Sequence, residues 1–168
     1  GRSTGKILFP KGRLGRENLG VKNCVNKSDD YYGCERVDIL SLDDFYDKVM
    51  PEQQLVDVLR IDTEGNDYEV LMGAQKVLKR TRYLEFEYHH FLPWRNTPLI
   101  DAIDYLATLD FTCYWALKKR LLRITNCWQS SYRKHHWSNI ACVKNTEVDL
   151  AEWMESNFQR QFLISPDR

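Results

Sequence analysis

Two short acidic strings hold most of the chemistry this 168-residue chain could perform. The first, Asp62-Thr63-Glu64-Gly65, ends the nearly continuous apolar run Leu55–Ile61. Two carboxylates so spaced at a strand end could hold a ribose or sugar hydroxyl, ligate a metal, or act as a base. Gly65 permits a sharp turn, and a helix after it would offer free backbone N–H groups. Plain helix capping by Asp62 or Glu64 accounts for the same residues without chemistry. The second string is Leu84-Glu85-Phe86-Glu87-Tyr88-His89-His90. Strand alternation puts Glu85, Glu87 and His89 on one face and Phe86, Tyr88 and His90 on the other. Adjacent strand ends would bring Glu87 and His89 near Asp62 and Glu64. A carboxylate beside a histidine can accept a proton from a hydroxyl; a surface or satisfied core pair of histidines is the alternative. His135-His136 lies in a basic loop, and no metal site is expected from it. Trp94, Tyr132 and Trp137 fall near loops and could stack on a sugar or base, with Trp94 the one expected to line a cleft.

The elements that must position these strings follow from the pattern of apolar residues. Residues 1–36 read mostly as an irregular N-terminal segment, with short strands at Lys6–Phe9 and near Leu19–Val25. Val37–Leu40 is a strand. Ser41 then caps a helix to about Met50, with Asp44 at the third helical position and Leu40 and Phe45 spaced as a hydrophobic staple. Leu55–Ile61 suits a parallel strand covered on both faces. A helix follows, with Asn66 as cap and one apolar stripe of Val70, Leu71, Ala74, Val77 and Leu78. Tyr83–Tyr88 is a strand. Thr97-Pro98 opens a helix to about Leu109, with Pro at its first position. Phe111–Leu117, Leu121–Thr125 and Trp137–Val143 are strands joined by hairpin-length links, so the last two or three should run antiparallel. A final helix starts at Thr146 and Glu147 and reaches about Phe162. Alternating strand and helix is the signature of a parallel α/β sheet, and ligands of such sheets bind beyond the carboxyl ends of the strands.

Composition narrows the field. Lys and Arg together number 24, as do Asp and Glu, so the net charge is zero, which argues against a general nucleic-acid binder. Only Lys118-Lys119-Arg120 and Arg133-Lys134-His135-His136 suggest one. No apolar run approaches the ~18 residues of a membrane span, and no signal peptide or other targeting segment is visible. Lacking an initiator Met, the chain is expected to be processed, truncated or a fragment. The zero balance hides segregation. Residues 1–27 carry seven Lys/Arg and one acid, residues 29–69 thirteen Asp/Glu and three Lys/Arg, and residues 111–146 seven Lys/Arg and no acid. These are either solvated faces that pair after folding, or a basic surface for a phosphate, an anionic substrate or an acidic partner. Five cysteines at irregular spacing do not form a disulfide framework. Cys113 and Cys142, inside apolar runs, are expected as buried thiols. Cys24 and Cys34 could pair in an oxidising compartment.

Three stretches, read together, resemble the FkbM-type methyltransferase family. They are Ser41-Leu42-Asp43-Asp44-Phe45, Val56-Asp57-Val58-Leu59-Arg60-Ile61-Asp62-Thr63-Glu64-Gly65-Asn66-Asp67-Tyr68-Glu69-Val70-Leu71-Met72-Gly73-Ala74, and Tyr83-Leu84-Glu85-Phe86-Glu87. The resemblance covers about residues 36–143. It implies an α/β fold: a partial Rossmann-like class I methyltransferase sheet, strands four to seven, with helices on both faces and antiparallel C-terminal strands. Residues 37–146 would form this C-terminal half, and 147–168 a helix and tail. The implied activity is S-adenosylmethionine-dependent O-methylation of a sugar or similar small molecule. Asp62, Glu64, Glu87 and His89 would be catalytic, and Asp62 and Gly65 would lie at the cofactor. Two departures stand out. Arg60 replaces the family's Lys, which is not a neutral exchange at a tight contact. No Gly-rich loop after a first strand precedes Val37, so the main cofactor-binding half is missing. The strand Leu55–Ile61 would then have one bare edge. More chain, a protein partner, or residues 1–36 folding back would have to cover it. The alternative to an enzyme is a catalytically inactive FkbM-like structural subunit of a larger assembly.

Overall fold

A computed structural model of the chain describes residues 1–11, 24, 33–50, 54–89, 94–133 and 137–164, the side chains of 159–164 excepted. Gly5–Pro10 (β1) and Cys34–Ile39 (β2) pair antiparallel as a sheet of their own. The strand expected at Lys6–Phe9 is thus present. The one expected near Leu19–Val25 lies, apart from Cys24, outside the described residues. β2 starts before Val37 and does not join the main sheet, a correction to the simple strand–helix–strand reading. Its composition gives the reason: Glu35, Arg36 and Asp38 offer no second apolar face to bury.

Helix α1 (Leu42–Val49) starts as expected, with Ser41 Oγ accepting the Asp44 N–H at 3.0 Å. Next come β3 (Val56–Ile61), α2 (Asp67–Met72), α3 (Gln75–Lys79) and β4 (Thr81–Tyr88). The single helix expected from Asn66 is therefore two. Gly73 separates them because the N-terminus docks there: a Cβ on Gly73 would collide with the Gly1 carbonyl and come within 3.0 Å of Arg2 Cα. The α3 N-terminus is capped from outside. Asp43, the second residue of α1, accepts the N–H groups of Lys76 at 2.9 Å and Val77 at 3.0 Å, while its own N–H donates to the Gly73 carbonyl. The expected stripe survives the break, since Leu71, Ala74, Val77 and Leu78 are all buried.

The rest of the chain supplies α4 (Leu99–Thr108), β5 (Phe111–Leu117), β6 (Arg120–Arg123), β7 (Ser138–Lys144) and α5 (Val148–Ile164). Pro98 stands at the N-cap of α4 rather than at the expected first helical position, so the helix starts one residue later, at Leu99. The main sheet has the order β3-β4-β7-β5-β6. β3 and β4 are parallel, β7 runs against both β4 and β5, and β6 runs against β5. Antiparallel C-terminal strands are thus borne out. β7 sits inside the sheet because Ile140, Ala141, Cys142 and Val143 are consecutive apolar residues, able to bury both faces.

Alternation divides the sheet into two cores. Leu84, Phe86, Cys113, Trp115, Ile140 and Cys142 face one way, toward a cluster that holds Leu71 and Leu78 of the α2–α3 segment and Leu99, Ile103 and Leu106 of α4. Tyr114, Ala141 and Val143 face the other way, against Met154 of α5. Each large apolar side chain buried this way contributes about 1.5–3 kcal/mol. Lys144 joins the layers by donating to the Leu78 carbonyl at 3.1 Å and the Leu109 carbonyl at 2.6 Å, the ends of α3 and α4.

Two expectations need correcting. β3 is not covered on both faces: Val58 is 64% exposed, and β3 is an edge of the sheet. Residues 1–4 dock on α1 and α2, through Thr4 with Asp44 and Arg2 with Glu69; residues 12–32, apart from Cys24, lie outside the described residues. Nor are Cys113 and Cys142 free thiols. The β5–β7 register sets them directly opposite, and they form a disulfide. A second joins Cys24 to Cys34, leaving Cys127 free.

The cap from α1 is testable. Asp43→Ala should lower stability by about 1–2 kcal/mol, the worth of a lost helix cap. Asp47→Ala, which breaks only an exposed pair with Lys76, should cost less than about 1 kcal/mol. Urea denaturation of both variants checks the contrast.

Candidate functional site

At the carboxyl end of β3 the chain turns sharply through Thr63, Glu64 and Gly65. Glu64 has φ of +54° and Gly65 of +95°. The second is what glycine allows freely; the first is an unusual, mildly strained conformation for a residue with a side chain. Asp67 holds the turn. Its carboxylate accepts the Thr63 N–H at 3.4 Å and the Gly65 N–H at 3.2 Å, and bonds the Glu87 backbone amide as well. One buried side chain therefore ties the end of β3 to the end of β4.

Ile61 lies opposite Phe86 in the β3–β4 register, so Asp62 follows the end of β3 one residue on, beside the level of Glu87 in β4. Asp62 is half exposed, within 3.5 Å of the Arg60 guanidinium. Arg60 also reaches toward Glu85 at 3.9 Å, and Asn139 donates to Glu85 at 3.0 Å. Glu87 receives the Trp137 indole N–H on one oxygen and lies 3.6 Å from His89 Nε2 on the other. The His89 and Trp137 rings are 5.3 Å apart. Glu85, Glu87 and His89 thus share a face, as strand alternation predicts. His89 is fully buried, whereas the Glu87 side chain keeps 15% of its surface. Of the two, Glu87 is the one a solute can touch. His90 lies outside the described residues, as do His135 and His136.

Glu64 Oε2 and Thr63 Oγ1 are buried without a hydrogen-bond partner among the described residues. A buried polar atom left so is costly, and these two sit in the turn where a ligand of a parallel sheet would arrive. The turn can therefore offer carboxylate and hydroxyl oxygens to a hydroxyl-bearing or cationic group. Among the described residues, no three His, Cys, Asp or Glu side chains converge as a metal-binding set.

Asp67 was not singled out from sequence, and a signal for it existed. The family string carries an acid two residues beyond its glycine, and Asp67 occupies that place. Trp94 corrects the opposite way. It is wholly buried against Tyr68, Phe86 and Tyr88, and lines no cleft. Lys118, Lys119 and Arg120 are exposed at the β5–β6 hairpin. Among the described residues, no helix is long and apolar enough to cross a membrane.

Burial pushes the Asp67 carboxyl up to about 6, against the pull of the amides that bond it. An unfolded Asp titrates near 3.8. Between about pH 4 and 6 the folded chain therefore keeps a proton that the unfolded chain has lost, and stability falls as pH rises through that window. The loss is at most roughly 3 kcal/mol. Asp67→Asn cannot titrate. The stability of the native chain minus that of the variant, from urea curves, should drop between pH 4 and 6 and level off above about 7. A difference independent of pH would show that Asp67 is not the titrating group.

The profile of the methyltransferase FkbM domain matches residues 7–113. The match begins inside β1, well before the stretch from residue 36 that carries the resemblance, and ends at Cys113. Comparison with curated proteins and with solved structures finds no match. The matched span is more than half of the chain and contains the whole turn from Asp62 to Asp67, both strand ends and Glu87. On that coverage, the chain belongs to the FkbM methyltransferase domain family.

Proposed function

We propose that this protein is a Rossmann-like, class I S-adenosylmethionine-dependent O-methyltransferase acting on a hydroxyl of a sugar or similar small molecule. The observation that carries the reading is the turn at the end of β3: a strained Glu64 beside Gly65, clamped by Asp67, with two buried oxygens that no group among the described residues satisfies. Parallel β3 and β4 with helices on both faces support the class I assignment. When bound, S-adenosylmethionine supplies a methyl group on a positively charged sulfur. The residues fit such a group, because Asp62, Thr63 and Glu64 offer only oxygens where hydroxyls and positive charge must be met. Asp62 and Glu64 would hold the cofactor, with Gly65 keeping side-chain bulk away from it. Glu87 would accept the proton of the attacking hydroxyl. His89, buried behind Glu87, would keep that carboxylate oriented and share the proton, while Trp137 fixes its other oxygen. Most of the rate would come from holding the two reactants in line. The two disulfides support an oxidising compartment as its place of work.

Isothermal titration of the protein with S-adenosylmethionine should give a saturable heat. Glu64→Gly should lose at least about tenfold in affinity while keeping or gaining stability, because Gly removes the left-handed strain of roughly 1 kcal/mol. No heat from a chain whose fold is intact by circular dichroism overturns the reading.

A second reading, a structural subunit without activity, is favoured by the open edge of β3, where Leu55 and Val58 are exposed. In that case a protein partner covers the edge. It predicts self-association or co-purification that Val58→Lys abolishes, as read by light scattering after size exclusion. A native chain that elutes as a monomer dismisses it.

A further inference from the structure

A cavity of about 390 Å³ opens on the other side of the β4 end from Glu87. Tyr88 turns into it, whereas Glu87 and His89 point to the opposite face of the strand. Its wall is mostly apolar and aromatic, and includes half-buried Trp128, the nearly buried Tyr88, and Leu99 and Ile100 from the start of α4. Two guanidinium groups, Arg95 and Arg133, line it too. No carboxylate lines it, and neither arginine has an acidic partner among the described residues.

The two cations are placed by the fold. Arg95 sits in the short helical turn Trp94–Asn96, and Arg133 in the turn Ser130–Arg133. Each follows directly on a buried aromatic anchor, Trp94 for the first and Tyr132 for the second. Trp94 is locked against Tyr68, Phe86 and Tyr88. Tyr132 packs edge-on against Trp128, with ring centroids 5.7 Å apart, so it steadies the aromatic wall as well as the turn. Two like charges brought to one cavity by independent anchors repel each other unless an anion lies between them. The start of α4 adds to the field, since no side chain caps its N–H groups and Asp101 in its first turn does not line the cavity.

We propose that this cavity binds a small molecule made of a flat ring and an anionic group, a carboxylate or a phosphate monoester. The ring packs on Trp128, and the anion meets Arg95 and Arg133, whose planar forks suit both oxyanions. The volume holds one such molecule and excludes a polymer chain. Binding here does not depend on methyl transfer, so loss of one claim leaves the other standing.

The test is tryptophan fluorescence of the whole chain, titrated with phenyl phosphate and benzoate, with benzyl alcohol as the neutral ring and inorganic phosphate as the ringless anion. At least one of the ring-bearing anions should bind at least about tenfold more tightly than both controls. Whichever anion binds better, phosphate or carboxylate, identifies the natural group. The double variant Arg95→Gln, Arg133→Gln, still folded by circular dichroism, should lose that preference. Trp128→Leu, which keeps both cations, should weaken the ring-bearing anions and leave inorganic phosphate unchanged. Benzyl alcohol or inorganic phosphate binding as tightly as the ring-bearing anions, or an unchanged double variant, overturns the proposal.

Discussion

Backbone N–H groups at the end of a strand have no ladder partner, and at a buried strand end water cannot serve instead. In this chain the Asp67 carboxylate takes up that role for Thr63, Gly65 and Glu87 together. It does so from the first residue of α2, so one side chain fixes the turn, the start of the helix and the spacing of two strand ends. The positive φ of Glu64 persists because the turn is held on both sides of it. Once Asp67 satisfies the amides, Thr63 and Glu64 are not needed as caps. Thr63 Oγ1 and Glu64 Oε2 are left in the turn with no hydrogen-bond partner among the described residues. That division of labour separates this turn from an ordinary helix start, where the cap residue consumes its own side chain.

The rest of the sheet keeps the turn accessible. β4 carries its apolar residues toward α2 and α4 and its glutamates toward the α5 side. α5 covers that second face around Tyr114, Ala141 and Val143, with Tyr83, Ala116 and Leu121 at the margin. Beyond its reach, Arg60, Glu85, Asn139, Glu87 and Trp137 form a hydrogen-bonded polar row instead of a core. The β3 edge sets a second condition. A strand with Val58 exposed is a liability unless something lies against it, and residues 1–4 are engaged at Gly73, Asp44 and Glu69.

Much of this was legible from residue types. Ser41 with Asp44 fixed the start of α1, and the alternation in 84–89 put Glu87 and His89 on one side. The order of the acidic string identified the family. What stayed hidden depended on pairing between distant strands or on docking of the chain's ends. Nothing local distinguishes Cys113 and Cys142 from buried thiols until β7 is known to enter between β4 and β5. The break between α2 and α3 comes from Gly1 reaching Gly73 and from Asp43 capping across a gap of more than thirty residues. Trp94 was expected to line a cleft because it is near a loop. It is core because Tyr68, Phe86 and Tyr88 converge on it, and a window of sequence does not contain that convergence.

The charge segregation along the chain resolves in the same way, by asking which charges find partners. Arg2 meets Glu69, Lys76 meets Asp47, Arg82 meets Asp57 and Glu147, and Arg123 meets Glu155. Each of these pairs joins separate elements, and most are exposed, so they add specificity of docking more than stability. Arg95 and Arg133 stand outside this pattern, in a cavity walled by aromatic rings. The acids at the strand ends stand outside it too, apart from the loose contacts of Arg60. Opposite charges that could have neutralised one another are instead kept on the two sides of β4, with Tyr88 facing one and Glu87 the other. A fold that merely balanced its charges would have no reason to keep these two groups apart. Holding both at the same end of one strand is an arrangement suited to ligands of opposite sign.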